Sequence, residues 1–158
     1  MSRIKSIQGV YLDCLSQVHS SNVGVGSRIW QWSVILAGAT IGTNCNLCAH
    51  TLVEDDVIVG NNVTIKCGVY LWDGLRVGDN VFIGPNATFT NDMYPQSKQK
   101  PEFFEQTILC DGCSIGANAT ILCGLTVGAN SIVGAGSVVT TDVPPNTKVV
   151  GNPARIVE

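Results

Sequence analysis

The sequence predicts an all-β chain wound as a parallel β-helix of stacked triangular coils. Three observations predict it: a large apolar residue at every sixth position, a glycine and an asparagine at every eighteenth, and one polar interruption of that frame. From Val23 the six-residue step meets Val23, Ile29, Ile35, Ile41, Leu47, Val53, Val59, Ile65, Leu71, Val77, Ile83 and Phe89. It resumes at Leu109 and runs through Ile115, Ile121, Val127 and Val133 to Val139. The fourth residue after each is mostly small or apolar, as at Ser27, Ala39, Cys45, Val57, Val63, Val69 and Ala87. An α-helix is excluded, because its apolar period is shorter and these glycines would interrupt it. An antiparallel sandwich has no need of an eighteen-residue recurrence.

The longer period is carried by Gly24, Gly42, Gly60 and Gly78 and by Asn44, Asn62 and Asn80. Three hexads make one coil, and each hexad is a short strand plus a corner. Glycine and asparagine both tolerate positive φ, so both are expected to serve the corners. One coil cannot bury its own interior, but a stack of coils can. The frame fails between Phe89 and Leu109. Residues Thr90 to Gln106, with Asn91, Asp92, Pro95, Lys98, Lys100 and Pro101, are polar and aperiodic and should leave the coil as one extended loop. A long loop in a compact repeat domain is commonly functional. A second break at Pro144-Pro145 marks where the coil is expected to finish, leaving residues 144–158 as a C-terminal segment of a single domain spanning 1–158.

Composition narrows the function. A chain of 158 residues has the size of one domain, and a net charge of −3 with only 13% charged residues offers no broad basic surface for nucleic acid. No stretch approaches the ~18 apolar residues of a membrane span. The start, with Arg3 and Lys5, lacks the apolar run of a secretory leader. The chain therefore reads as cytoplasmic, with neither membrane nor nucleic acid as partner. Seven cysteines in such a chain read as reduced thiols. Cys45 with Cys48, and Cys110 with Cys113, have a spacing that zinc sites use. The register turns Cys45 and Cys113 inward and Cys48 and Cys110 outward, so no metal is expected.

Residues eighteen apart should stack in columns roughly 4.8 Å per coil. Ala37, Asp55, Asp73 and Asn91 form one, Glu54, Trp72 and Thr90 the one beside it, and Trp32, His50, Gly68 and Asn86 a third on another face. An acidic column ending at a loop root is either a polar site or a run of solvated corner residues. His50 is either a base, since imidazole titrates near neutrality, or a surface or interface histidine. Trp30, Trp32 and Trp72 lie at outward or corner positions, which suits ligand contact or packing between subunits.

Several segments carry a family likeness. They are Leu71-Trp72-Asp73-Gly74, Val81-Phe82-Ile83-Gly84-Pro85-Asn86, Phe89-Thr90-Asn91-Asp92 with Pro95-Gln96-Ser97-Lys98, Ser114 to Ile121, and Val150-Gly151-Asn152-Pro153-Ala154-Arg155. The chain resembles the hexapeptide-repeat acyltransferases, and within them the sugar 3-N-acetyltransferases acting on dTDP-linked 3-amino-3,6-dideoxyhexoses. That resemblance implies a left-handed coil, a homotrimer with sites between subunits, acetyl-CoA as co-substrate and no metal. It also implies a place in surface-glycan (O-antigen or S-layer) biosynthesis. Gln96 stands where that family often has arginine, leaving a neutral donor near the diphosphate. A related group acting on a UDP-linked 3-amino uronic acid carries Tyr-Glu-Gly in place of Trp-Asp-Gly, and O-acetyltransferases share the fold.

The resemblance also implies roles. Asp73 and Asn91 grip the sugar amine or its neighbouring hydroxyl, and His50 of an adjoining subunit accepts the proton. Trp72, Phe89, Asp92, Ser97, Lys98, Trp30 and Arg28 contact the nucleotide sugar, with Lys98 toward the diphosphate. Gly116, Ala117 and Ala135 leave room for pantetheine along the later coils. Asn152 and Pro153 adjoin CoA, and Lys148 and Arg155 meet its phosphates. A neutral amine then attacks the thioester, backbone N–H groups stabilise the oxyanion, and positioning supplies much of the rate.

Overall fold

The computed structural model describes residues 3–157; Met1, Ser2 and Glu158, the ends of the expected domain, lie outside the described residues. Short strands line three faces of a parallel β-helix. Face one carries β1 (Tyr11–Leu12), β3 (Arg28–Ile29), β6 (Asn46–Leu47), β9 (Thr64–Ile65), β12 (Phe82–Ile83), β15 (Ser114–Ile115), β18 (Ile132–Val133) and β20 (Lys148–Gly151), and ends on an antiparallel β21 (Ala154–Ile156). Face two carries β2 (Gln17–Val18), β4 (Val34–Ile35), β7 (Leu52–Val53) and β10 (Tyr70–Leu71), then β13 (Thr88–Phe89), β16 (Thr120–Ile121) and β19 (Val138–Val139). Face three carries β5 (Thr40–Ile41), β8 (Ile58–Val59), β11 (Leu75–Val77), β14 (Thr107–Leu109) and β17 (Thr126–Val127). Among the described residues no helix is long and apolar enough to cross a membrane.

The hexad explains each strand. Its large apolar residue points inward and is buried, from Ile29 through Leu47, Ile65 and Ile83 to Val139, and the residue four positions on is mostly buried as well, with Leu125 half-buried. The strand residue before it faces out. Consecutive coils are joined through the backbone: Asn46 N–H donates to Val63 O at 2.8 Å, and Thr64 N–H to Val81 O at 3.0 Å. The coils therefore stack at about the spacing of parallel strands, and the interior is a continuous aliphatic column.

The two repeating corner residues have different reasons. Asn44, Asn62 and Asn80 take φ of 55°, 56° and 58°, the left-handed region that asparagine visits more readily than most residues. Gly24, Gly42, Gly60 and Gly78 do not adopt positive φ, contrary to expectation. Their constraint is room: a Cβ on Gly24 would lie 2.5 Å from the carbonyl carbon of Gly42, and one on Gly60 would lie 2.7 Å from that of Gly78. At that column each backbone passes too close to the next for any side chain.

Three further departures have local causes. The coil begins before Val23: Tyr11 pairs with Arg28 and Val18 with Ile35, 17 positions on, because the hexad between Val18 and Val23 is one residue short. His19 therefore belongs to the first coil. The coil also continues past Pro144-Pro145, since Val149 pairs with Val133. Those prolines sit on the last described coil, so their missing N–H groups interrupt no ladder among the described residues. The loop adds 14 residues, because Val77 pairs with Leu109, 32 positions on, where Val59 pairs with Val77, 18 positions on. It leaves at the corner between faces two and three, after Thr90, whose N–H still donates to Ile121 O at 3.2 Å.

Face two is divided. Strands β10 and β13 pack together but belong to separate sheets, a four-stranded and a three-stranded one. Between them lies a crevice of about 160 Å3 lined by Tyr70, Trp72, Asn86 and Phe89 among others.

The glycine column yields a direct test. Gly60→Ala forces a Cβ onto backbone that cannot swing aside, and should cost about 1–3 kcal/mol in urea denaturation. Asn62→Gly, at a corner that wants positive φ, should stay within about 0.5 kcal/mol of wild type.

Candidate active site

The corner between faces two and three gives Asp73 two surroundings. One is structural. Asp73 Oδ1 accepts the N–H of Asp56 at 2.8 Å, just as Asp55 Oδ1 accepts that of Gly38 at 2.8 Å. The corner between faces three and one repeats the device: Asn61 accepts from Thr43 N–H at 2.9 Å, and Asp111 from Asp79 N–H at 2.8 Å. The acidic column is thus partly a means of joining coils. The other surrounding is specific to Asp73. Its own N–H donates to Glu54 Oε2 at 2.8 Å, and the residue is half-buried. The next residue, Gly74, has φ of 93°, and a Cβ there would lie 2.8 Å from Glu105 O, because the returning arm of the loop runs across it.

That arm roofs a groove of about 640 Å3 lined by Asp56, Asp73 and residues 100–106. Its carboxylates are Asp56, Asp73, Glu102 and Glu105, and its cation is Lys100, whose Nζ lies 5.3 Å from the Phe104 ring centroid. Arg76 braces the floor by pairing with Asp56 Oδ1 at 2.6 Å. The groove is acidic and suits an ammonium or polyol ligand. Asp56, Arg76, Lys100 and Glu105 were not legible as site residues. Asp56 and Arg76 read as ordinary corner and outward residues, and the path of an aperiodic loop carries no register.

The remaining expected sugar contacts scatter. Asn91 and Asp92 are half-buried at the loop root, and Asp92 Oδ1 accepts Tyr94 N–H at 2.8 Å. Asn91 follows β13 as Asp73 follows β10, but no ladder joins those two strands. Ser97 and Lys98 are exposed, and Lys98 has φ of 62°. Trp72 packs partly against the core with Tyr70 edge-on at 5.8 Å. Phe89 is a core residue, 3% exposed, whose ring also borders the 160 Å3 crevice. Trp30 is half-buried and donates Nε1–H to Asn46 Oδ1 at 2.8 Å, while Arg28 points outward from face one.

His50 occupies the opposite edge of face two, at the corner with face one, so a single chain does not bring it to Asp73. Its ring stacks on Trp32 with centroids 4.9 Å apart. The residues expected at CoA follow the same edge upward. Gly116, Ala117 and Ala135 lie on this corner in later coils, and Gly116 again lacks room for a Cβ, which would lie 2.7 Å from Gly134 C. The terminal hairpin carrying Lys148, Asn152, Pro153 and Arg155 is tied there by Gly151 N–H to Ser137 Oγ at 3.1 Å.

The cysteines divide as the register predicts. Cys45 and Cys113 are buried, and Cys48 and Cys110 are half-buried on the outside. Among the described residues no three of His, Cys, Asp and Glu gather as a metal would require. Burial raises the Cys45 thiol and pushes the Cys113 thiol up to about 12.

Residues 56–91 and 106–141 match the bacterial transferase hexapeptide family of six repeats. The chain is 52% identical over 139 residues to the dTDP-3-amino-3,6-dideoxy-alpha-D-galactopyranose 3-N-acetyltransferase of Aneurinibacillus thermoaerophilus, covering 88% of this chain and 72% of that one. The chain belongs to the hexapeptide-repeat acyltransferases. Its coil is the left-handed β-helix of that family. Among solved structures, perosamine N-acetyltransferase of Caulobacter crescentus, in complex with CoA and GDP-perosamine, is similar at TM-score 0.63 and 25% identity, over 86% of this chain and 57% of that one. A maltose O-acetyltransferase of Clostridium difficile is similar at TM-score 0.65 and 31% identity, over 72% and 65%. The chain thus spans under two thirds of each of these two solved relatives.

The buried thiols predict an alkaline limit of stability. An unfolded Cys113 loses its proton near its ordinary value of 9.0, whereas the folded thiol keeps it to about 12. Stability fully present below about pH 9 is then lost as pH rises toward 12, because the unfolded chain binds fewer protons there. Urea midpoints measured from pH 8 to 11 should fall, and should fall less steeply in Cys113→Ala.

Proposed function

We propose that this chain is an acetyl-CoA-dependent N-acetyltransferase for the 3-amino group of a dTDP-linked 3-amino-3,6-dideoxyhexose. It would act as a cytoplasmic homotrimer in surface-glycan biosynthesis. The observation that carries the reading is the acidic groove at Asp73, lined by the loop that interrupts the repeats, in a chain 52% identical to an enzyme of that name. The groove supplies carboxylate to an amine that is cationic in solution. Asp73 keeps one oxygen on the backbone of Asp56 and has the other for the substrate. Asn91, at the loop root, holds the adjacent hydroxyl, and Lys98 and Lys100 lie on the segment that would meet the diphosphate.

In the reaction the bound ammonium first gives up a proton to solvent, and the neutral amine then forms a C–N bond to the acetyl carbonyl carbon. The tetrahedral oxyanion then collapses with cleavage of the C–S bond, CoA leaves as the thiolate, and the proton lost by nitrogen passes to His50 of an adjoining subunit. Pantetheine would lie along the edge of Gly116, Ala117 and Ala135, with Lys148 and Arg155 toward the CoA phosphates.

Asp73→Asn separates chemistry from fold. Asn61 already performs the corner bond with an amide oxygen, so the variant should fold normally. Its kcat/KM for the amino sugar should fall about 10²-fold or more, the range of acid–base effects, with KM for acetyl-CoA little changed. Wild-type kinetics would remove Asp73 from the mechanism, and equal losses for both substrates would indicate a folding or assembly defect. Sedimentation at micromolar protein should show a trimer, the closed symmetric assembly that builds sites between subunits; a monomer there sinks the shared-site reading.

A further inference from the structure

We infer that Trp32 is a positioning residue that holds the His50 imidazole in place for proton transfer, an inference that rests on His50 as the proton acceptor. The first observation is backbone strain. The corner between faces one and two recurs at Trp32, His50, Gly68, Asn86, Asn118 and Gly136, and all adopt positive φ, from 56° at Asn86 and Asn118 to 74° at Gly68. Glycine, asparagine and histidine suit this conformation, and a bulky tryptophan is an outlier there. Among the described non-glycine residues with positive φ, every one is asparagine except Trp32, His50 and Lys98. Trp32 has φ of 58° and His50 of 61°. A strained backbone persists where the surroundings enforce it, and such positions concentrate at functional sites.

The second observation is what the two side chains do. Their rings stack with centroids 4.9 Å apart and planes inclined by 24°. Trp32 is 54% exposed, so burial in the core does not account for a tryptophan at this corner. The backbones on either side are held by the coil below: Trp32 N–H donates to Leu15 O at 3.3 Å, and His50 N–H to Gln31 O at 3.3 Å. With the backbone held, the freedom left to His50 is rotation of its own side chain, and the indole face restricts it. The two rings line one groove of about 260 Å3 with Leu52 and Tyr70, so the imidazole is presented at an open surface. An eighteen-residue register puts position 32 directly beneath position 50. No other side chain of the corner column could supply a ring there, since the next is Gly68.

The test pairs Trp32→Asn with Trp32→Phe and His50→Asn. Asparagine is the residue the corner prefers, so Trp32→Asn should fold at least as well as wild type, with an unchanged or higher thermal midpoint and an unchanged sedimenting mass. Its kcat for acetyl transfer from acetyl-CoA to the dTDP-linked 3-amino sugar should fall about tenfold or more, with both KM values unchanged. Trp32→Phe keeps an aromatic face and should recover most of that loss. Proton NMR gives a readout independent of turnover: the His50 ring protons, shielded by the indole, should move downfield in Trp32→Asn. Wild-type kcat in Trp32→Asn while His50→Asn is impaired overturns the positioning role and leaves the function intact. Dissociation or a lowered midpoint in Trp32→Asn overturns it in favour of subunit packing. Unimpaired His50→Asn removes the proton acceptor itself, and the inference with it.

Discussion

The backbone hydrogen bond between consecutive coils is the constraint on which the rest of the molecule depends. An N–H such as that of Arg28, Asn46 or Thr64 donates to a carbonyl seventeen residues on, and the bond recurs along the stack, interrupted on face two between β10 and β13. It sets the rise per coil at about the parallel-strand spacing. At that rise the inward aliphatic residues touch their counterparts above and below, and the glycine column follows because backbones there approach within the reach of a Cβ. Stability is then a sum over nearest neighbours, as in other solenoids. Extra residues can enter only where they break no ladder, which is at a corner. The 14-residue insertion does this, and Thr90 at its root remains bonded to the following coil.

A rigid coil of this kind places functional groups on edges at defined heights. Face two has two chemically different edges. One bears Asp73, the loop and the acidic groove. The other bears His50, Trp32 and, in later coils, the open run of Gly116, Ala117 and Ala135 leading to the terminal hairpin. A triangular prism keeps its own edges apart, so chemistry that needs both edges calls for prisms set side by side. This is the physical case for the shared site proposed above.

Residues at the corners serve both fold and function. Asp73 takes part in the same coil-joining bond as Asp55, Asn61 and Asp111, and it differs in the burial and roofing around its second oxygen. Most described corners at positive φ hold asparagine or glycine, and Trp32 carries a bulky ring at φ of 58° beneath His50.

The coil, the inward residues, the partition of the cysteines, the release of the loop and the column that stacks Trp32 beneath His50 were all legible in the amino-acid order. Each follows from a period of six or eighteen, and a period encodes contacts between neighbouring coils. The folded chain supplied what no period carries. It revealed the shortened first coil hidden by one missing residue, and the continuation through Pro144-Pro145, whose missing N–H groups interrupt no ladder among the described residues. It assigned the glycine column to close backbone approach rather than to φ, and it separated β10 from β13. It also placed Lys100 and Glu105 along the groove that Asp73 lines. The path of an aperiodic loop depends on contacts distant in sequence, here the passage of the Glu105 backbone over Gly74, and those contacts exist only once the chain is folded.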